Sequence, residues 1–279
     1  MAFGAAWSAT TANAASPTIV RVPVHSRVSG ADFSLEAFVY RPATKGKHPL
    51  VLLSHGSSGG NPKMELPQQE LAGFFTNRGF VVIAAMRRGR GKSGGVSLES
   101  EEKDCDPGSW KQGLAAAFED VTAALDFAGK MPDVDAGTVL LVGESRGGFL
   151  SVAYAAEGAR RIRVRGVVNF VGGWVAQAED RCPTDFNQIS FGRYGAETRL
   201  PELWLYGDHD PFYAASSIRD YQRAFISRGG KLSFALISGV PGNGHWLPGY
   251  PGLWSGKVES YLASRWLATP AGGHLGKAN

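Results

Sequence analysis

Short apolar runs and longer amphipathic stretches alternate along the chain from about residue 18 onward. Thr18–Val24 and Phe33–Arg41 alternate apolar and polar positions, which predicts an antiparallel hairpin at a sheet edge. Pro49–Leu53, Phe80–Ala85, Val139–Val142, Val164–Val171, Glu202–Tyr206 and Leu232–Ile237 read as further strands, several of them continuous apolar runs. Such runs belong to strands buried on both faces. Between and after them, Leu66–Asn77, Gly113–Lys130, Phe149–Gly158, Ala214–Ser227 and Leu253–Leu267 carry helical periodicity. Buried strands alternating with helices predict an α/β fold. The sheet is mostly parallel with an antiparallel N-terminal edge and helices on both faces, and ligands collect at the strands' carboxyl ends. No repeat or linker divides residues 18–268. Val175–Thr198 is polar and irregular and is expected to form a small cap-like insertion.

The 279 residues include 43% hydrophobic and 19% charged ones, an ordinary globular balance, with a formal net charge of +4. The basic residues are scattered apart from Arg87-Arg88-Gly89-Arg90-Gly91-Lys92, so neither a nucleic-acid partner nor a membrane span is expected. Gly89-Arg90-Gly91-Lys92-Ser93 looks like part of a phosphate loop, but Met86 stands where that motif needs its first glycine. No His or Cys pair has ligand spacing, so no metal and no cofactor are expected. Residues 1–17 lack charge and include Ala12-Asn13-Ala14-Ala15, which has the small-residue look of a signal-peptidase site. Cys105 and Cys182 both sit in polar loop sequence. A disulfide between them and a periplasmic or secreted location are the matching expectations. Residues 269–279 read as a flexible tail.

The chemistry concentrates at Gly143-Glu144-Ser145-Arg146-Gly147, between a predicted strand and a predicted helix. Strand, sharp turn and helix are the context of a nucleophile elbow, which lifts a serine hydroxyl clear of the sheet. Ser145 then needs a base to take its proton. Of six histidines, His245 lies in the loop between the last strand and the last helix, over the same sheet edge, whereas His25 and His48 precede the elbow and His274 lies in the tail. The loop after Glu202–Tyr206 offers two acids, Asp208 and Asp210. The order Ser, Asp, His suits a hydrolase triad in which the acid orients the base. Backbone N–H groups of Arg146 and Ser57 are the expected oxyanion donors, with His55 propping the Ser57 loop. Trp110, Trp174, Phe212, Tyr213 and Trp246 are the candidate walls of a substrate pocket.

Ser54-His55-Gly56, Gly143-Glu144-Ser145-Arg146-Gly147-Gly148, Gly207-Asp208-His209-Asp210 and Gly244-His245 together resemble the α/β-hydrolase superfamily over roughly residues 30–268. The likeness is to its dienelactone-hydrolase-like and bacterial serine esterase branch. By that resemblance the acid lies three residues after the glycine ending its strand, which selects Asp210 over Asp208. Ser145 stands where true dienelactone hydrolases carry a cysteine, which points to general ester hydrolysis. The implied activity is cleavage of small-molecule esters of small or aromatic acyl groups through an acyl-enzyme. The alternatives are a serine peptidase or acylaminoacyl-type amidase, and a non-catalytic hydrolase-like binding protein.

Overall fold

The computed structural model describes residues 16–57, 61–99, 105–158, 164–176 and 184–266. Eight strands form one sheet: β1 (Thr18–His25), β2 (Asp32–Tyr40), β3 (His48–Ser54), β4 (Val81–Ala85), β5 (Val134–Glu144), β6 (Val164–Phe170), β7 (Pro201–Gly207) and β8 (Lys231–Ile237). Their order is β1-β2-β4-β3-β5-β6-β7-β8. The β1–β2 and β2–β4 pairs are antiparallel and every later pair is parallel, as the hydrophobic pattern predicts. Six helices, α1 (Gln69–Thr76), α2 (Pro107–Ala128), α3 (Arg146–Glu157), α4 (Phe186–Glu197), α5 (Ala215–Ser227) and α6 (Pro251–Trp266), connect or follow the strands. Among the described residues no helix is long and apolar enough to cross a membrane.

The central strands carry apolar runs because the sheet is covered on both faces. Val51, Val82, Leu140, Val142, Val167 and Leu205 are all buried. Burial of such side chains stabilises the fold by about 1.5–3 kcal/mol each relative to exposure. α2 begins with an Asp106 cap that accepts from the N–H groups of Gly108 and Ser109, with Pro107 in the first turn. A proline there forfeits nothing, because that N–H has no intrahelical partner. The loop after β4 is not a phosphate cradle. Gly89 N–H donates to Gly94 O, Gly91 N–H to Pro62 O and Lys92 N–H to Glu36, so its donors are already used. The arginines of that loop are equally committed: Arg88 is buried against Asp120 and Glu119 of α2.

The stretch expected to be an irregular cap contains α4, a regular helix. Phe191 of α4 packs on Trp204 of β7 and Phe149 of α3, so this helix is the crossover between β6 and β7 and covers the sheet. Its buried face includes Asn187, Ser190 and Gly195 while Ile189 is exposed, which blurs the apolar periodicity. The remainder of that stretch, residues 177–183 with Cys182, lies outside the described residues, as do 1–15 and 267–279.

One buried carboxyl gives the fold a pH signature. Burial pushes Glu202 of β7 up to about 8. Its Oε2 accepts from Trp204 Nε1 at 2.7 Å, while Oε1 has no partner. The folded state therefore holds a proton that the unfolded chain releases near 4.5, so stability is full below that pH and falls as pH rises toward 8. The loss is roughly 5 kcal/mol at most. Glu202→Gln keeps an acceptor for Trp204 and carries no charge. Melting at pH 5 and pH 8.5 should show the wild type losing more stability than this variant across the interval. Equal losses would contradict a protonated Glu202.

Candidate active site

At the carboxyl end of β5 the chain makes its sharpest turn. Ser145 has φ 53° and ψ −124°, a conformation L-residues rarely adopt, and caps α3. Such strain persists only where the surroundings over-determine it. Here Ser145 N–H donates to Phe170 O at 2.9 Å, and Ser145 O accepts from Phe149 N at 3.1 Å and Gly173 N at 3.3 Å. The flanking glycines are required by close approach. A Cβ on Gly143 would run into Gly147 O, and one on Gly147 into Ser54 O. The turn thus puts Ser145 at the first turn of α3, where the Arg146 N–H has no intrahelical acceptor.

Asp210 and His245 come from the loops after β7 and β8. Gly207 and Gly244 meet backbone to backbone, with no room for a Cβ on either, and this contact seats the His245 loop against the end of β7. His245 Nδ1 and Asp210 Oδ2 are 2.8 Å apart. The Asp210 side chain is fully buried, and its other oxygen accepts from Phe212 N at 2.8 Å and Tyr213 N at 3.3 Å. Asp208 is one-third exposed and its carboxylate turns to His209. The carboxylate facing the imidazole is therefore Asp210. Two of the other described histidines are engaged elsewhere, His25 with exposed Asp32 and His48 with the carbonyls of Gly79 and Thr44, and His209 is exposed beside Asp208.

The loop after β3 is clamped from beneath. His55 is buried, its Nδ1 donating to Gly56 O at 2.7 Å while Nε2 accepts from Arg87 N at 3.0 Å. Burial, reinforced by the Arg87 charge, pushes this imidazole down to about 3, so it stays neutral and cannot act as a proton carrier near neutrality. Arg87 adds a hydrogen bond to His55 O at 2.6 Å and one to Gly56 O at 3.3 Å, and pairs with Glu99. Burial opposes ionisation of Glu99, but Arg87 and Arg146 outweigh it and hold the carboxyl at about 2. Fixing Gly56 C=O downward has a consequence at the next residue. The peptide is trans and planar, so the Ser57 N–H points away from the His55 and Arg87 groups that hold the Gly56 carbonyl.

The aromatic residues divide. Phe212 is partly exposed and meets His245 edge-on, with ring centroids 4.6 Å apart. Tyr213 packs on His245 with ring centroids 5.9 Å apart. Trp246 is exposed and lies across Gly242. Trp110 and Trp174 are buried core residues and not an open wall. Trp174 Nε1 donates to Trp110 O at 3.2 Å, Trp174 packs on Phe149, and Trp110 packs on Phe186. Among residues the sequence reading passed over, Glu144 is prominent. Burial pushes its carboxyl up, against the pull of nearby His245. Among the described residues no His, Cys, Asp and Glu cluster could hold a metal ion.

Comparison with known proteins agrees with this geometry. Residues 30–172, about half of the chain, match the X-Pro dipeptidyl-peptidase (S15) family. The quorum-quenching protein AidA of Acinetobacter baumannii is 25% identical over 156 residues, which are 56% of this chain and 47% of that protein. The chain thus aligns with about half the length of this curated relative. A candidate dienelactone hydrolase of Klebsiella pneumoniae superposes with a TM-score of 0.61 at 16% identity, covering 91% of this chain and all of that one. The acylaminoacyl peptidase of Pyrococcus horikoshii gives 0.63 at 14% identity, over 90% of this chain and 42% of that one. The chain belongs to the X-Pro dipeptidyl-peptidase (S15) family and has the fold of the α/β-hydrolase superfamily.

Proposed function

We propose that this hydrolase is a serine esterase acting on small or aromatic acyl esters. The observations that carry the reading are a strained Ser145 at the elbow and a His245–Asp210 pair whose acid is wholly buried. In this reading His245 takes the Ser145 proton as Oγ attacks the ester carbonyl, and later returns it to the departing alcohol. Asp210 holds Nδ1 protonated and stabilises the imidazolium. The N–H groups of Arg146 and Ser57 receive the oxyanion, which is where preorganised donors contribute most.

Phe212 and Tyr213 support a compact apolar pocket beside His245. An amide has a resonance-stabilised ground state and a poor leaving group, so efficient amidases add binding energy along an extended substrate. Aromatic walls offer little hydrogen bonding for a peptide backbone. A second reading, a serine peptidase or acylaminoacyl-type amidase, is favoured by the family match itself. The test compares p-nitrophenyl butyrate with butyryl-p-nitroanilide and Ala-Pro-p-nitroanilide. The esterase reading expects the ester to lead in kcat/KM by several orders of magnitude, and comparable rates on either anilide would make the peptidase reading the better one. A non-catalytic binding protein would turn over none of them.

Export to the periplasm or beyond, with a Cys105–Cys182 bridge, belongs to the same proposal. Its support is the signal-like Ala12-Asn13-Ala14-Ala15 and two polar-loop cysteines, with no free cysteine among the described residues. Thiol titration of the denatured, unreduced protein should find no reactive thiol. Two would refute the bridge.

A further inference from the structure

Between β4 and α2 lies a carboxylate that the Ser145–His245–Asp210 proton relay does not use. Glu99 has its backbone seated on α2: a Cβ on Gly113 would meet Leu98 O at 2.7 Å and Glu99 Cα at 3.3 Å. Its side chain is 6% exposed and sits among three arginines, Arg87, Arg90 and Arg146. Oε1 accepts from Arg87 Nε and Oε2 from Arg87 Nη2 at 3.0 Å, a two-pronged pairing. Oε2 also lies 3.8 Å from Arg146 Nη1 and 3.9 Å from Arg90 Nη2. Burial opposes ionisation, but Arg87 and Arg146 hold the carboxyl at about 2, so Glu99 is charged near neutrality.

Two of these arginines belong to the two segments that carry the oxyanion donors. Arg87 holds the loop after β3 through His55 O and through Gly56 O, the carbonyl of the peptide that carries the Ser57 N–H. Arg146 follows Ser145 in the elbow, and its Nε donates to Trp174 O at 3.0 Å. Loop and elbow also pack directly. A Cβ on Gly56 would stand 3.1 Å from Ser145 Cβ, and one on Gly147 would overlap Ser54 O. This backbone packing sets how near the loop comes to Ser145, but not the tilt of the Gly56–Ser57 peptide, because glycine leaves its own dihedrals loose. Arg87 supplies the tilt through Gly56 O. A bidentate carboxylate fixes the plane of a guanidinium as well as its place, and for Arg87 that carboxylate is Glu99.

Resting on the serine-hydrolase reading, we propose that Glu99 is a positioning residue for the oxyanion. Through Arg87 it sets the direction of the Ser57 N–H, and through Arg146 it ties that donor to the elbow. Its charge by itself acts the other way. A carboxylate repels a nearby developing oxyanion, so deleting the charge would speed the reaction if the field were all that mattered. Positioning predicts a slower reaction, because donors stabilise the transition state only when aimed in advance at the oxygen that gains the charge. The sign of the change in kcat therefore separates the two roles.

The test compares Glu99→Gln with wild type, in the full chain, on p-nitrophenyl butyrate and on its thiono analogue, in which C=S replaces C=O. Sulfur is larger and a weaker acceptor, so the thionoester draws little on donors aimed at oxygen. On the oxygen ester kcat should fall by about 10²-fold, the scale of one lost oxyanion donor. KM should stay within about threefold, because the interaction is made only in the transition state. On the thionoester the loss should be about tenfold or less, so the preference for oxygen narrows. An unchanged or raised kcat, or equal losses on both substrates, would overturn the proposal. Glu99→Gln removes the charge that three guanidiniums share, and if melting shows it misfolded, Glu99→Asp takes its place. Aspartate keeps the charge but withdraws the carboxylate from Arg87. It should show a smaller loss with the same selectivity for the oxygen ester, and equal losses would again overturn the proposal. Wild-type protein that a fluorophosphonate does not label would instead defeat the serine-hydrolase reading.

Discussion

Ser145→Ala is expected to lower ester turnover by about 10⁶ while leaving the fold intact, and His245→Ala by a similar factor. The two side chains act in one event, Oγ attack coupled to proton transfer, so removing either removes that event. The double variant should therefore be little slower than each single one. What survives is binding and the oxyanion donors, which do not depend on either side chain. Steady-state kcat/KM for p-nitrophenyl butyrate, with circular dichroism as the control for folding, measures this. Multiplicative losses in the double variant would mean that Ser145 and His245 work independently, contrary to the account.

The second large effect separates the two acids. Asp210→Asn should cost on the order of 10⁴ in kcat, because an amide at this position can present N–H to Nδ1 and stabilise the wrong tautomer. The effect is amplified by burial: the Asp210 side chain has no solvent to relieve it, and its second oxygen is fixed by two backbone donors. Asp208 is one-third exposed and faces His209, so Asp208→Asn should cost less than about tenfold. The reverse ranking, measured on the same ester, would hand the role to Asp208.

These expectations were readable from the sequence to different depths. The elbow was legible because its requirements are local: an apolar strand, glycines two residues either side of Ser145 and a helix immediately after. The sheet was legible because buried parallel strands are apolar runs. Strand β5 is nevertheless longer than its apolar segment suggests. Asp135 and the residues around it pair with Pro49 before a register shift, and polar residues at such an irregularity carry no periodic signal. The start of α2 at Pro107 was signalled by Asp106-Pro107 and is six residues earlier than its amphipathic pattern. α4 was hidden because polar Asn187 and Ser190 lie on its buried face and apolar Ile189 on its exposed one.

Around the site, composition misled where partners are distant in sequence. Trp110 and Trp174 read as pocket walls because they are aromatic, yet both are buried in the core, where Trp174 Nε1 donates to the Trp110 carbonyl. Arg87 read as part of a loose basic cluster, and only the fold brings it under Gly56 with Glu99. Tyr213 was legible as an aromatic near His245, but its packing on Tyr221 and its N–H bond to Asp210 depend on the fold.

The central claim is that Ser145, activated by His245, is the nucleophile. The most direct measurement is incubation of the intact protein with a fluorophosphonate, followed by digestion and mass spectrometry of the adduct. The account predicts one adduct per chain, on the peptide containing Gly143-Glu144-Ser145-Arg146, lost in Ser145→Ala and strongly slowed in His245→Ala. An adduct on any other residue, or undiminished labelling of Ser145→Ala, would contradict it.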